Sequence, residues 1–219
     1  MTLVCGLDEA GRGPILGPMV MAGVAISEDK SDQLKALGVT DSKLLSPKRR
    51  EALYDKIIEL ADSYSIIEIS PNEIDEMNIS GTNLNQLEAL KIAEILMKLK
   101  PDKVYVDSPE PTASKFGVMI LAHMNGFAPE IIAEHGADLK YPTSSAASIL
   151  AKVTRDRAVR KIEKQIGHPI GSGYPADPNT KHFLQKHYSD DEHINYVRTC
   201  WSTYKKLQKK KNQSSLGDF

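Results

Sequence analysis

The sequence lacks the features typical of exported, membrane-spanning and strongly basic proteins. Its 219 residues include only two cysteines, Cys5 and Cys200, which we expect to be reduced thiols of a cytoplasmic protein because no export signal is recognisable. The N-terminus has no basic region or cleavage pattern, and no apolar run is long enough to span a bilayer. The net charge of −1 is not typical of a nucleic-acid-binding protein. An acidic metal site would, however, offset the positive charge of a basic binding face in the net charge. We therefore expect a protein with no membrane partner.

What is present is the composition of a globular α/β protein. Hydrophobic residues make up 41% of the chain and charged residues 26%, which is ordinary for a folded domain. Apolar and β-branched runs predict strands, and apolar residues at helical spacing predict helices. The strands are predicted at residues 2–8, 17–27, 65–70, 103–107 and 129–134, and the helices at 46–60, 84–99, 144–164, 179–188 and 192–207. This order predicts a mixed five-stranded sheet flanked by helices.

A stretch rich in Gly and Pro at residues 167–175 is the best candidate for a domain boundary. It divides the chain into a main domain of residues 1–168 and a small C-terminal helical domain of residues 169–208. The last segment, 209–219, is polar and is predicted to be disordered on its own.

Four carboxylates stand where predicted strands end. Asp8 and Glu9 follow the first strand, Asp107 ends the fourth, and Asp138 lies just past the fifth. Strand ends bring loops together in α/β sheets, and ligand sets made only of oxygen select hard ions such as Mg²⁺ or Mn²⁺. Two such ions about 4 Å apart would orient a water and stabilise a leaving oxygen in phosphodiester hydrolysis. A single strand-terminal Asp is more often a turn former or a helix cap, so a metal site requires that the four converge.

Five motifs resemble, in the same order, those of the ribonuclease HII family. They are Gly6–Pro14, Asp41–Lys43, Val106–Ser108, Ala137–Val153 and Gly171–Pro178. The resemblance covers most of the chain and implies a monomeric, ribonuclease H-like endonuclease that cuts RNA paired to DNA and ribonucleotides embedded in duplex DNA. The absence of a long N-terminal extension argues against the related HIII type, and the short C-terminal helices are similar to those of archaeal members.

The resemblance also implies roles for individual residues. Asp8, Glu9, Asp107 and Asp138 would bind two Mg²⁺ or Mn²⁺ ions. Substrate contacts are implied for Gly11, Arg12 and Gly13, which would sense the ribose 2′-hydroxyl, for Tyr174, which would stack on the neighbouring sugar, and for Lys43, Asn78 and Lys181, which would contact phosphate or sugar. The alternatives are a plain turn for the glycine loop, a packed anchor for the tyrosine and solvated side chains for the lysines.

The C-terminal residues match a short interaction pattern, Gln-x-x-aliphatic-x-x-aromatic, through Gln213, Leu216 and Phe219. The pattern resembles the peptide by which replication and repair proteins bind the sliding clamp, proliferating-cell nuclear antigen. One 3₁₀ turn would place Leu216 and Phe219 on one side, ready to fill an apolar pocket. The alternative is a frayed polar end.

Three functions remain open at this point. The favoured one is a hybrid-specific endonuclease acting in primer removal and ribonucleotide excision repair. The second is a related nuclease that acts on DNA alone, against which the Gly-Arg-Gly loop and Tyr174 argue. The third is a catalytically silent hybrid-binding adaptor, against which the four intact acids argue. Cleavage of a hybrid with and without Mg²⁺ separates the three.

Overall fold

A computed structural model describes residues 1–39, 42 and 44–215, with side chains up to residue 209. In this part of the chain the predicted mixed five-stranded sheet is confirmed, with strand order β3-β2-β1-β4-β5. The strands are β1 (Leu3–Ala10), β2 (Met19–Ser27), β3 (Ser63–Ile69), β4 (Lys103–Asp107) and β5 (Glu130–Glu134).

The pairing of the strands places the predicted acids side by side. β1 runs antiparallel to β2, whereas β1 with β4 and β4 with β5 are parallel pairs. The β1–β4 ladder aligns Leu7 with Val106, so the next residues, Asp8 and Asp107, emerge together at the same edge. Parallel strands require crossover connections, which here contain helices.

The helices begin where the sequence provides caps. They are α1 (Ser31–Ala36), α2 (Pro47–Leu60), α3 (Pro71–Ile79), α4 (Leu84–Leu99), α5 (Ala113–Leu121), α6 (Ala137–Lys140), α7 (Pro142–Ile166), α8 (Pro178–His187) and α9 (Ser202–Ser215). Ser46 and Ser70 each accept a hydrogen bond from the third backbone N–H of the helix that follows, and each is followed by Pro at the first helical position. Asn83 begins α4 with a reciprocal capping box. None of the described helices is long and apolar enough to span a membrane.

The chain divides into two compact units. The first unit comprises residues 1–10, 20–68 and 83–154, and the second comprises 11–19, 69–82 and 155–219. In the first unit, β2 packs its Val24 and Ile26 into a buried core with Leu53 of α2 and Ile149 of α7. Burying such side chains stabilises the sheet by about 1.5–3 kcal/mol each.

The second unit has its own core. Ile15 and Leu16 of the early loop are buried with Ile162 of α7, Phe183 of α8 and Val197. The predicted boundary at residue 168 falls inside this unit, because its members include residues 155–168 and two segments from the first half of the chain.

The C-terminal region differs from the predicted helix at 192–207. It contains a single 3₁₀ turn, Ile194–Tyr196, and then an extended Val197 that forms an antiparallel bridge with Leu16. The bridge and the complete burial of Arg198 interrupt the helical pattern. The last helix, α9, runs to Ser215, so helical structure extends into the segment predicted to be disordered from residue 209.

Candidate active site

Asp107 is fixed by the loop that leads to the fourth acid. One of its carboxylate oxygens, Oδ1, accepts a hydrogen bond of 2.7 Å from the backbone N–H of Gly136. Gly136 precedes α6, the short helix that carries Asp138 in its first turn. Ser145 at the start of α7 donates its hydroxyl to the carbonyl of Asp138. The structure therefore ties Asp107 and Asp138 to one turn.

Asp8 lies close enough to two other acids for their charges to affect its proton affinity. Burial raises the pKa of the Asp8 carboxyl well above its ordinary value, and the charges of Glu9 and Asp138 raise it further. Hydrogen bonds from the Ser148 hydroxyl and the Glu9 backbone N–H oppose the rise in pKa. The N–H of Glu9 lies 2.8 Å from Asp8 Oδ1. Like charges held together in a desolvated place favour either protonation or a bound cation.

The donor set fits divalent metal ions of the hard class. Asp8, Glu9, Asp107 and Asp138 offer only carboxylate oxygens, the ligands that Mg²⁺ and Mn²⁺ prefer. Asp138 is 5% exposed, and the raised proton affinity of Asp8 shows that uncompensated charge is costly here. All four predicted acids belong to the first unit. Glu9 and Asp138 lie close enough to Asp8 for their charges to raise its pKa, and Asp107 is tied to the turn that precedes Asp138.

The predicted recognition residues Gly11, Arg12 and Gly13 belong to the second unit, at the start of a loop, Gly11–Gly17, that contacts the buried Arg198. The Arg198 guanidinium donates to the carbonyl oxygens of Gly11 at 2.7 Å, Arg12 at 3.0 Å and Gly17 at 3.0 Å. Its cation lies 4.9 Å from the ring of Trp201, and the Trp201 ring N–H donates to the carbonyl of Gly13. Burial and the nearby Arg155 lower the pKa of Arg198 to about 9. Arg198 and Trp201 therefore both hold the loop through its backbone carbonyls.

Gly11 is required by its backbone conformation and by close packing, whereas Gly13 lies in tight contact with one ring. Gly11 has a φ of +87°, and a Cβ there would lie 2.2 Å from Nε of Arg155. A Cβ on Gly13 would lie 3.0 Å from the Tyr174 ring. Tyr174 is 45% exposed, so its ring packs against the loop and still presents a surface to solvent. The structure thus brings the predicted loop and tyrosine together.

The other residues predicted to bind the substrate or the clamp lie only partly within the part of the chain that the structure describes. Asn78, at the end of α3, and Lys181, on α8, both have exposed side chains and belong to the second unit. Lys43, Leu216 and Phe219 lie outside the described residues. Gln213 lies in α9, and its side chain is also outside the described part.

Sequence reasoning missed the residues that support this machinery. Arg198 and Trp201 fall in a segment that the sequence predicts as helix, and Arg155 falls within a long predicted helix. Arg155 is buried and donates to the carbonyls of Ser172 and Pro18. The one available signal was the run from Val197 to Trp201, where a β-branched residue and the chain's one tryptophan interrupt a polar helical pattern.

A mixed five-stranded sheet of order β3-β2-β1-β4-β5, flanked by helices, defines a ribonuclease H-like fold. Comparison with known proteins gives the particular family. The ribonuclease HII family model matches residues 5–204, so the chain belongs to that family and is a ribonuclease H, an endonuclease acting on RNA/DNA hybrids.

Individual relatives agree over nearly the full length. The chain is 50% identical to ribonuclease HII of Thermococcus sibiricus, with 98% of this chain and 96% of that protein covered. The crystal structure of ribonuclease H2 from Pyrococcus horikoshii OT3 matches with a TM-score of 0.87 at 42% identity, covering 95% of this chain and 98% of that chain. The RNase HII in a PCNA complex from Archaeoglobus fulgidus matches with a TM-score of 0.81 at 38% identity, covering 91% and 95%.

Proposed function

We propose that the chain hydrolyses the phosphodiester bond that joins the RNA-containing fragment to the fragment upstream of it. Asp8, Glu9, Asp107 and Asp138 would hold two Mg²⁺ or Mn²⁺ ions for this reaction. The observation that carries this proposal is the mutual charge effect of Glu9 and Asp138 on the buried Asp8. When bound, such ions activate an attacking water and neutralise charge on the leaving oxygen. Water adds to phosphorus as the bond to the 3′ oxygen breaks, leaving a 3′-hydroxyl upstream and a 5′-phosphate on the RNA-containing fragment.

The chain's own residues supply orientation in this scheme. Gly136 donates to Asp107 Oδ1, which leaves Oδ2 of that carboxylate for a metal ion. Ser148 donates to Asp8, and Ser148 is itself 2.7 Å from the Ser42 hydroxyl. These fixed donors keep the carboxylates in place before metal arrives, which reduces the reorganisation that binding requires.

We further propose that the second unit recognises RNA. The loop carbonyls of Gly11 and Arg12 are committed to Arg198, so the loop presents a fixed backbone to a ribose 2′-hydroxyl, the group that distinguishes RNA from DNA. The exposed face of Tyr174 would stack on the adjacent sugar. Lys43, Asn78 and Lys181 would contact phosphate or sugar.

This assignment covers single ribonucleotides in duplex DNA as well as continuous hybrids, and therefore roles in ribonucleotide excision and primer removal. Reading one 2′-hydroxyl needs only one loop, so a run of RNA is not required. A nuclease acting on DNA alone would need no such loop, and a silent adaptor would need no acid cluster.

The decisive experiment uses the two acids that are tied to one turn. Asp107→Asn and Asp138→Asn each remove a charged ligand without changing volume, and each should abolish most cleavage of a hybrid in Mg²⁺ while the circular dichroism spectrum is unchanged. Glu130→Gln is the matched control, because Glu130 is an exposed acid on β5 outside the cluster. Near-parental cleavage by either Asn variant would refute the site assignment.

A sliding clamp is the proposed protein partner. The relative from Archaeoglobus fulgidus was solved in a complex with PCNA, and this chain ends with Gln213, Leu216 and Phe219 in the clamp-binding pattern. Leu216 and Phe219 would fill an apolar pocket of the clamp. Titration of a clamp with full-length protein and with a chain shortened by residues 213–219 tests this, and equal affinities would refute it.

A further inference from the structure

A second cluster of ligating side chains lies in the second unit, at the end of α8. His187 closes the helix, Asp190 lies in the following turn and His193 precedes the 3₁₀ turn Ile194–Tyr196. One ligand atom from each of the three lies within 4.8 Å of the ligand atoms of the other two. Within the described part of the chain, no other group of three or more His, Cys, Asp or Glu residues has its ligand atoms this close together.

The distances in the cluster are close to those of a metal site. Asp190 Oδ2 lies 2.8 Å from Nδ1 of His187 and 3.5 Å from Nδ1 of His193. Ligands bound to zinc at about 2.0–2.1 Å in a tetrahedron stand roughly 3.3 Å apart. The two distances fall on either side of that value, and the ligand atoms of the two imidazoles lie within 4.8 Å of each other.

The hydrogen bonding of the cluster is incomplete. His187 Nδ1 is within hydrogen-bond distance of Asp190, whereas Nδ1 of His193 is buried and has no hydrogen-bond partner within the described part of the chain. The carboxylate thus satisfies one imidazole and leaves the other at 3.5 Å. A buried polar nitrogen without a partner is costly. A cation at the centre would use both nitrogens and the carboxylate at once.

The surroundings hold the ligands in place. Phe183 is 2% exposed, and its ring centroid lies 5.2 Å from that of His187 and 5.6 Å from that of His193. The Phe183 ring therefore lies against both imidazole rings. The sequence Asp190-Asp191-Glu192 adds negative charge beside them, which favours a dication.

We propose that His187, Asp190 and His193 bind a borderline transition-metal dication, with Zn²⁺ as the type ion. Imidazole nitrogen selects such ions, whereas the catalytic cluster offers only oxygen and suits Mg²⁺ or Mn²⁺. The bound ion joins the end of α8 to the segment that leads to Val197 and Arg198, so it stabilises the second unit and takes no part in hydrolysis. This proposal stands independently of the proposed function.

The first test observes the imidazoles directly. Zinc sulfate is titrated into the full chain carrying Asp107→Asn, which weakens the catalytic cluster, in excess Mg²⁺. Long-range ¹H–¹⁵N spectra of the histidine rings should show the Nδ1 resonances of His187 and His193 moving together at one equivalent of zinc. Unchanged Nδ1 resonances for both residues would overturn the proposal, and the test leaves the three proposed ligands unsubstituted.

The second test compares variants by bound zinc and by melting temperature. At free zinc about 100-fold above Kd, the melting temperature should rise by roughly 5–10 °C. His193→Gln should lose one bound zinc and this rise, whereas His182→Gln should keep both, because His182 is an exposed residue of the same helix. Equal zinc uptake and equal melting shifts in the two variants would overturn the proposal.

Discussion

Replacing Arg198 with lysine should damage the loop Gly11–Gly17 and leave the acid cluster intact. The guanidinium makes four hydrogen bonds to three carbonyl oxygens, two of them to Gly17. A lysine ammonium keeps the charge but lacks the planar fork that reaches several carbonyls at once. At least two carbonyls would then lose their donor in a place where water has little access, because Arg198 is completely buried.

The size of the effect follows from those lost bonds. Each buried polar group left without a partner costs about 1–3 kcal/mol, so Arg198→Lys should lower the free energy of unfolding by about 2–4 kcal/mol. Urea unfolding followed by circular dichroism measures this change. Arg160→Lys is the matched control, because Arg160 is an exposed arginine of α7, and its cost should stay below about 0.5 kcal/mol.

Kinetics separate a positioning role from general loss of stability. At a temperature where Arg198→Lys is fully folded, kcat/KM on a duplex with one embedded ribonucleotide should fall at least tenfold. The Mg²⁺ concentration for half-maximal activity should stay at the parental value, since the proposed ligands Asp8 and Asp107 belong to the other unit. A variant with parental stability and parental kcat/KM would refute the role assigned to Arg198, and so would a large change in Mg²⁺ dependence alone.

Three further outcomes are expected. Tyr174→Ala should weaken cutting at a single ribonucleotide by about 1–3 kcal/mol in transition-state stabilisation, whereas Tyr174→Phe should retain most activity, and equal rates for Ala and parent would exclude stacking. Phe219→Ala should weaken clamp binding more than tenfold by calorimetry at both low and high salt, because burial of the ring is not screened; indistinguishable affinities would indicate a frayed end. Hydrogen bonds from Lys30 and Ser27 lower the pKa of Asp62 from its ordinary 3.8 to about 2. The ionised Asp62 carboxylate therefore stabilises the fold above pH 4, and this stabilisation is lost as the pH falls through 2. Asp62→Asn should therefore cost about 1 kcal/mol in urea unfolding at pH 7, a value discounted because the side chain is 31% exposed, and a cost that persists unchanged at pH 2 would contradict this.

Elements with local signals could be predicted from the sequence. α4 and β4 have the predicted bounds, because Asn83 caps the helix and Pro101 prevents its continuation. α3 was missed although Ser70 and Pro71 begin it in the same way as Ser46 and Pro47 begin α2. α5 was missed for a different reason, since Thr112 makes no side-chain cap hydrogen bond and gives no start signal.

The residues of the candidate site also divide into those that the sequence predicts and those that it does not. Asp107 could be predicted because it ends β4. Asp8 was predicted as the end of the first strand, whereas β1 continues to Ala10, and the two acids are still neighbours because Leu7 pairs with Val106. The contacts of Arg198 could not be predicted, because they join residues 186 and 187 positions apart and depend on an extended segment within a helical pattern. Long-range contacts of this kind leave no periodic trace in the sequence.

The same separation has a consequence for biosynthesis. Chains emerge from the ribosome N-terminus first, so Gly11–Gly17 is among the earliest segments made, yet the donor for its carbonyls is residue 198. All four acids are synthesised before that donor, since the last of them is Asp138. A nascent or truncated chain that ends before Arg198 therefore contains all four acids proposed as metal ligands but lacks the donor for the carbonyls of Gly11 and Arg12. Completion of translation is the step at which the loop acquires the side chain that shapes it.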